Sequence, residues 1–143
     1  MTGLSADEVK IYTDGACSGN PGPCGVGVLL MEGELVKELS EYLGQGTNNI
    51  AELTAILRAA EALAGSTKTV RIYSDSQYAI GVLSKNWKAK ANQELVAKTK
   101  LALGKLSHVE LHYVRGHSGD PHNERADELA VQAVQTQQTT GWK

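Results

Sequence analysis

Two β-rich runs in this chain each contain a tyrosine and end on an aspartate: Val9–Asp14 (VKIYTD) and Thr69–Asp75 (TVRIYSD). In the first, Val9, Ile11 and Thr13 alternate with Lys10, Tyr12 and Asp14, the period of a strand with two unlike faces. If the two strands lie side by side and parallel, both aspartates emerge at one carboxyl edge. That edge is where open α/β sheets bind their ligands.

The intervening and following patterns fill out the fold. After a loop rich in Gly, Ser, Asn and Pro, Gly25–Met31 and Glu34–Leu43 read as a hairpin turning at Glu32-Gly33, broken by Gly44-Gln45-Gly46. From Thr47 to Ala64, the residues Ile50, Leu53, Ile56, Leu57, Ala60 and Leu63 recur at helical spacing, and Gly65 ends the helix. Ser76–Leu83 and Asn92–Leu106 read as further helices, and Val109–Val114 as the last strand. The final helix opens on an Asp120 cap followed by Pro121. This order, βββαβα(α)βα, predicts an α/β fold: a five-stranded mixed sheet with helices on both faces. With 143 residues, one domain is expected over residues 1–134, followed by a frayed polar tail at 135–143.

No apolar run approaches the roughly 20 residues of a membrane span, and the first residues carry no signal-peptide pattern. A cytoplasmic monomer without a membrane partner is expected. In that setting Cys17 and Cys24 are expected to be free thiols. The formal net charge is −2, which excludes coating nucleic acid by bulk charge. The charge is uneven, however. Lys85, Lys88, Lys90, Lys98, Lys100 and Lys105 face one acid, Glu94, giving that stretch +5 and the remainder −7. Such a patch, with Trp87 inside it, suits either the docking of a polyanion or a solvated helix face.

Glu52 and Asp127 each lie at the border of a helix's apolar arc, where a carboxylate is partly buried. Taken singly, Asp14, Glu52, Asp75 and Asp127 have ordinary explanations as caps, turn residues or solvated acids. Four converging acids would repel one another strongly. Such a cluster makes sense around hard divalent cations, which take oxygen ligands and can clamp a phosphodiester in pairs.

The segments YTDGACSGNPGPCGVG, TNNIAEL, SDSQYA and VRGHSGDPHNERADELA, in this order, resemble the type 1 ribonuclease H family. These nucleases cut the RNA strand of RNA/DNA hybrids, leaving 5′-phosphate and 3′-hydroxyl ends. The resemblance implies the ribonuclease H-like fold and two Mg²⁺ ions, with Mn²⁺ as a substitute. It makes Asp14 the ligand shared by both ions, and places Asp127 with the water-activating ion. Glu52 and Asp75 fall to the leaving side, where Glu52 also senses a ribose 2′-hydroxyl. His117 matches the family's histidine for proton transfer or product release. Gly15, Cys17, Asn20 and Gln77 are implied to line the minor groove near the RNA strand. Thr47 and Asn48 would bind a DNA-strand phosphate, with Asn49 close to the groove.

Two departures stand out. The connection between Asp75 and His117 is too short for the long basic protrusion of many bacterial members. Gln45 also stands where those members often carry arginine. Each lost phosphate contact weakens binding and flattens its salt dependence, so modest substrate affinity is expected. The competing readings are a same-fold nuclease acting on double-stranded RNA or DNA, and a hybrid-binding module without catalysis.

Overall fold

The structure, a computed structural model, describes residues 7–85, 88, 91–116 and 119–143. Trp87, Lys90 and His117, singled out above, lie outside the described residues. Five strands form one mixed sheet: β1 (Glu8–Cys17), β2 (Gly22–Glu32), β3 (Leu35–Gly46), β4 (Thr69–Ser74) and β5 (His108–Tyr113). The helices are α1 (Asn48–Ala62), α2 (Gln77–Ser84), α3 (Gln93–Leu103) and α4 (Pro121–Thr136).

Strand order is β3-β2-β1-β4-β5. The three-strand meander β1–β2–β3 is antiparallel, while β4 and β5 add parallel to β1. In this register Tyr12 lies opposite Tyr73 and Thr13 opposite Ser74, so Asp14 and Asp75 leave neighbouring parallel strands at the same edge. The Thr13 hydroxyl donates to the Tyr73 carbonyl at 3.0 Å and ties the two strands together there.

The sheet's faces follow from strand alternation. Val9, Ile11, Val26, Val28, Val70 and Ile72 point to the side of α1, where they bury against Leu53, Ile56, Val82, Val96 and Leu103. Tyr12 and Leu29 point to the other side, against Ala126 of α4. Three side chains set helix starts. Thr47 Oγ1 accepts from the Ile50 N–H, Ser76 Oγ from the Ala79 N–H, and Asp120 Oδ1 from the His122 and Asn123 N–H groups.

Several sequence expectations are corrected. β1 does not stop at Asp14, because Gly15, Ala16 and Cys17 pair with Val26, Gly25 and Cys24. β3 likewise continues through Gly44–Gly46, opposite Gly22–Cys24, after a register shift between Cys24 and Gly25. Ladder hydrogen bonds outweigh the weak strand propensity of these glycines. α3 ends at Leu103, before Gly104, rather than at Leu106.

The polar tail is not frayed. After α4, Gln137 adopts φ 52° and turns the chain. Thr140 then exchanges two backbone hydrogen bonds with Ser40, and Lys143 exchanges two with Glu38. The free edge of β3 offers unpaired backbone groups, and the tail satisfies them. Nor are the cysteines free thiols: Cys17 and Cys24, direct cross-strand partners, form a disulfide.

Candidate active site

Asp14, Glu52 and Asp75 come from three different elements, yet a ligand oxygen of each lies within 4.8 Å of those of the other two. The sequence explains this approach locally. Gly15 faces α1, and a Cβ there would fall 2.6 Å from Ala51 and 2.7 Å from the Glu52 nitrogen. Only a residue without a side chain lets the first turns of α1 press against β1 and bring Glu52 to Asp14. Asp75 follows β4 directly, and Ser76 starts α2 behind it.

Asp127 reaches the site from the opposite face. It is not among the three mutually close acids, but it lies near enough to Asp14 to raise that carboxyl's pKa. Its position depends on β2. At Gly27, the partner of Asp14 in the ladder, a Cβ would stand 2.0 Å from the Ala126 carbonyl oxygen. At Gly25 it would stand 2.5 Å from that of Ala130. α4 therefore packs directly on backbone. Alternate glycines in Cys24-Gly25-Val26-Gly27 are the available sequence signal for this close approach, which the sequence reading did not use.

The cluster is electrostatically strained as it stands. Asp14 is 4% exposed. Burial, the nearby Asp75 charge and the nearness of Asp127 push its carboxyl up to about 9, against the pull of the Gly15 N–H. That N–H donates to Asp14 Oδ1 at 2.9 Å. Burial, followed by the charges of Asp14 and Asp75, also raises Glu52 well above the ordinary carboxylate range. Glu52 Oε1 is buried and has no hydrogen-bond partner among the described residues. An unsatisfied buried acceptor costs about 1–3 kcal/mol, more if charged. An all-oxygen donor set with such an orphaned atom fits a hard divalent cation, which replaces the proton and relieves the repulsion.

The expected substrate contacts surround this cluster. Gly15 and Cys17 continue β1 past Asp14, and Asn20 lies exposed in the β1–β2 loop. Asn20 Oδ1 accepts from the Asn48 N–H at 2.9 Å, joining that loop to the head of α1. Thr47 caps α1, while Asn48 and Asn49 occupy its exposed first turn. Gln77 opens α2 on the other side, also exposed. Gly116 passes close to Asp75, which brings the β5–α4 connection to the cluster up to the last residue described before His117.

Comparison with known proteins gives a consistent result. The RNase H family pattern matches residues 6–135. The chain is 41% identical to a ribonuclease H of Syntrophomonas wolfei, covering 90% of this chain and 97% of that protein. It is 43% identical to one from Chlorobium luteolum, covering 90% and 96%. Its fold superposes on the crystal structure of RNase H1 from the halophilic archaeon Halobacterium salinarum with a TM-score of 0.80 at 31% identity, covering 90% and 98%. It also superposes on LC11-RNase H1 in complex with an RNA/DNA hybrid with a TM-score of 0.80 at 29% identity, over the same shares.

Proposed function

The chain belongs to the ribonuclease H family and is a ribonuclease H; from that premise we propose that it cuts the RNA strand of RNA/DNA hybrids with two Mg²⁺ ions. The observation that carries the metal assignment is the convergence of Asp14, Glu52 and Asp75 with the orphaned Oε1 of Glu52. Asp14, between Glu52 and Asp75 on one side and Asp127 on the other, is the residue suited to be shared. Asp127 would complete one ion's ligand set, and Glu52 and Asp75 the other's. Mn²⁺, also a hard oxygen-binding cation, would substitute. When bound, such ions supply an activated water and charge stabilisation for the attacking and leaving oxygens. Water adds to phosphorus and the bond to the 3′-oxygen breaks, which leaves 5′-phosphate and 3′-hydroxyl ends.

The chain's own groups orient the substrate. The Thr47 hydroxyl oxygen is engaged as a cap acceptor, so its proton remains available to a DNA-strand phosphate. The adjacent N-terminus of α1 also favours an anion. Gly15, Cys17, Asn20, Asn48, Asn49 and Gln77 present small polar groups and backbone, suited to reading shape and 2′-hydroxyls across a wide minor groove. His117 is assigned proton transfer or product release by its motif alone.

Cleavage of end-labelled hybrid, double-stranded RNA and duplex DNA in Mg²⁺ tests this reading. Only the hybrid's RNA strand should be cut, and Asp14→Asn should abolish cutting. Intact activity in Asp14→Asn, or cleavage confined to duplex DNA, would overturn it.

A further inference from the structure

The Cys17–Cys24 disulfide sits at the last pair of the β1–β2 ladder. Beyond it a short loop is closed by the Ser18 N–H donating to the Pro23 carbonyl at 2.8 Å. The loop carries Asn20, whose side chain holds the first N–H of α1. The bond thus clasps the base of a loop on the proposed hybrid-binding surface. The two cysteines differ in exposure. Cys24 is 0% exposed. Cys17 is half-buried, and the disulfide lies on the α1 face of the sheet, where Gly46 approaches Cys24 Sγ. The reduced state is also provided for: the Gly22 carbonyl lies 3.3 Å from Cys24 Sγ and can accept a thiol proton.

We propose that Cys17–Cys24 is a reversible thiol–disulfide site that sets hybrid affinity and is opened by attack of a small dithiol reductant on Cys17. The proposal rests on the hybrid-binding reading above. In the first step a reductant thiolate bonds to Cys17 Sγ, and the bond to Cys24 breaks. Cys24 leaves as a thiolate and takes a proton from solvent. The reductant's second thiolate then attacks its own sulfur in the mixed disulfide, and Cys17 leaves and is protonated. Two electrons enter the protein, and the reductant departs as its cyclic disulfide. With the clasp open, Ser18–Pro23 gains conformational freedom that hybrid binding must again remove. The carboxylates are held by β1 before Gly15, by α1, by β4 and by α4, so the chemical step is spared.

The test is steady-state cleavage of a labelled hybrid by the full chain, oxidised and after dithiothreitol. Thiols are counted by alkylation and mass spectrometry. Reduction should raise KM about threefold or more while kcat stays within about twofold, and a small-molecule disulfide should reverse the change. Cys24→Ser should match the reduced protein and ignore dithiothreitol. Glutathione trapped on the partly reduced chain should sit on Cys17. Equal KM in the two states with both thiols alkylated, or trapping on Cys24, would overturn the proposal. If neither state cuts hybrid, the catalytic reading fails instead. Hybrid affinity in the two states, measured by fluorescence anisotropy, then still decides the redox question.

Discussion

Gly27→Ala places a methyl group where the structure has none to spare. Its carbon would lie 2.0 Å from the Ala126 carbonyl oxygen, 2.6 Å from the Ala130 nitrogen and 2.9 Å from Leu129 Cβ. Two of these are backbone atoms of α4, which no rotamer change can move aside. Restoring ordinary contact distances requires the helix to retreat from β2 by about 1 Å or more. Ala126, Leu129, Ala130 and Ala133 are buried in that contact. Overpacking of this kind costs about 1–3 kcal/mol, occasionally more. Asp127 follows Ala126 directly and moves with it, away from Asp14. A misplacement of about 1 Å in a catalytic constellation lowers rates by about 100-fold.

The expected result is a lower urea midpoint with an unchanged m-value, together with a fall of about 100-fold in kcat on hybrid. Gly141→Ala is the control, since a Cβ there meets nothing within 4 Å, and it should change neither quantity. If Gly27→Ala keeps kcat within about threefold while losing stability, α4 packing and Asp127 placement are independent and the argument fails.

Four further outcomes follow from other parts of the structure. Asp14 is raised from 3.8 to about 9, so the metal-free fold binds this proton more tightly than the unfolded chain does. The resulting stabilisation is present below about pH 4 and is lost as pH rises through about 9; Asp14→Asn should flatten that fall in Tm, and identical pH curves would refute the assignment. Mg²⁺ competes with the same proton, so its stabilising effect should grow with pH and shrink in Asp75→Asn, read as Tm shifts. Deleting residues 138–143 removes the backbone bonds from Ser40 and Glu38 to Thr140 and Lys143 and the Tyr42 N–H to Thr139 Oγ1 bond. Stability should fall by about 1–3 kcal/mol with faster amide exchange at Ser40 and Tyr42 and unchanged kcat; protection that persists at those amides would show that the tail does not cover the edge. Gln45→Arg, at an exposed position, should lower KM and steepen the salt dependence of binding by about one phosphate contact, and an unaltered slope would place Gln45 away from the DNA strand.

Local periodicity was enough for much of this chain. Thr69–Ser74 alternates cleanly and stops at Asp75, and the structure ends β4 at Ser74. Thr47 before an apolar stripe and Asp120 before Pro121 mark helix starts, because capping depends on neighbours within one turn. The three convergent acids stand out for a related reason: Asp75 follows the end of a strand, Glu52 lies at the margin of an apolar helix face, and Asp14 reads as a strand end although β1 runs on to Cys17. Periodicity is a property of a dozen residues, whereas a distance between two elements depends on everything packed between them. Nothing in Gly15–Cys17 alone says that β1 continues, since its extension is a pairing with β2. The tail's docking depends on an open edge of β3 about a hundred residues away. The disulfide depends on a ladder register that brings Cys17 opposite Cys24, where composition suggested free thiols. The meeting of Asp14 with Glu52 and Asp127 was decided by tertiary packing. Glycines on the two faces of the β1–β2 hairpin let α1 and α4 close on the same aspartate from opposite sides.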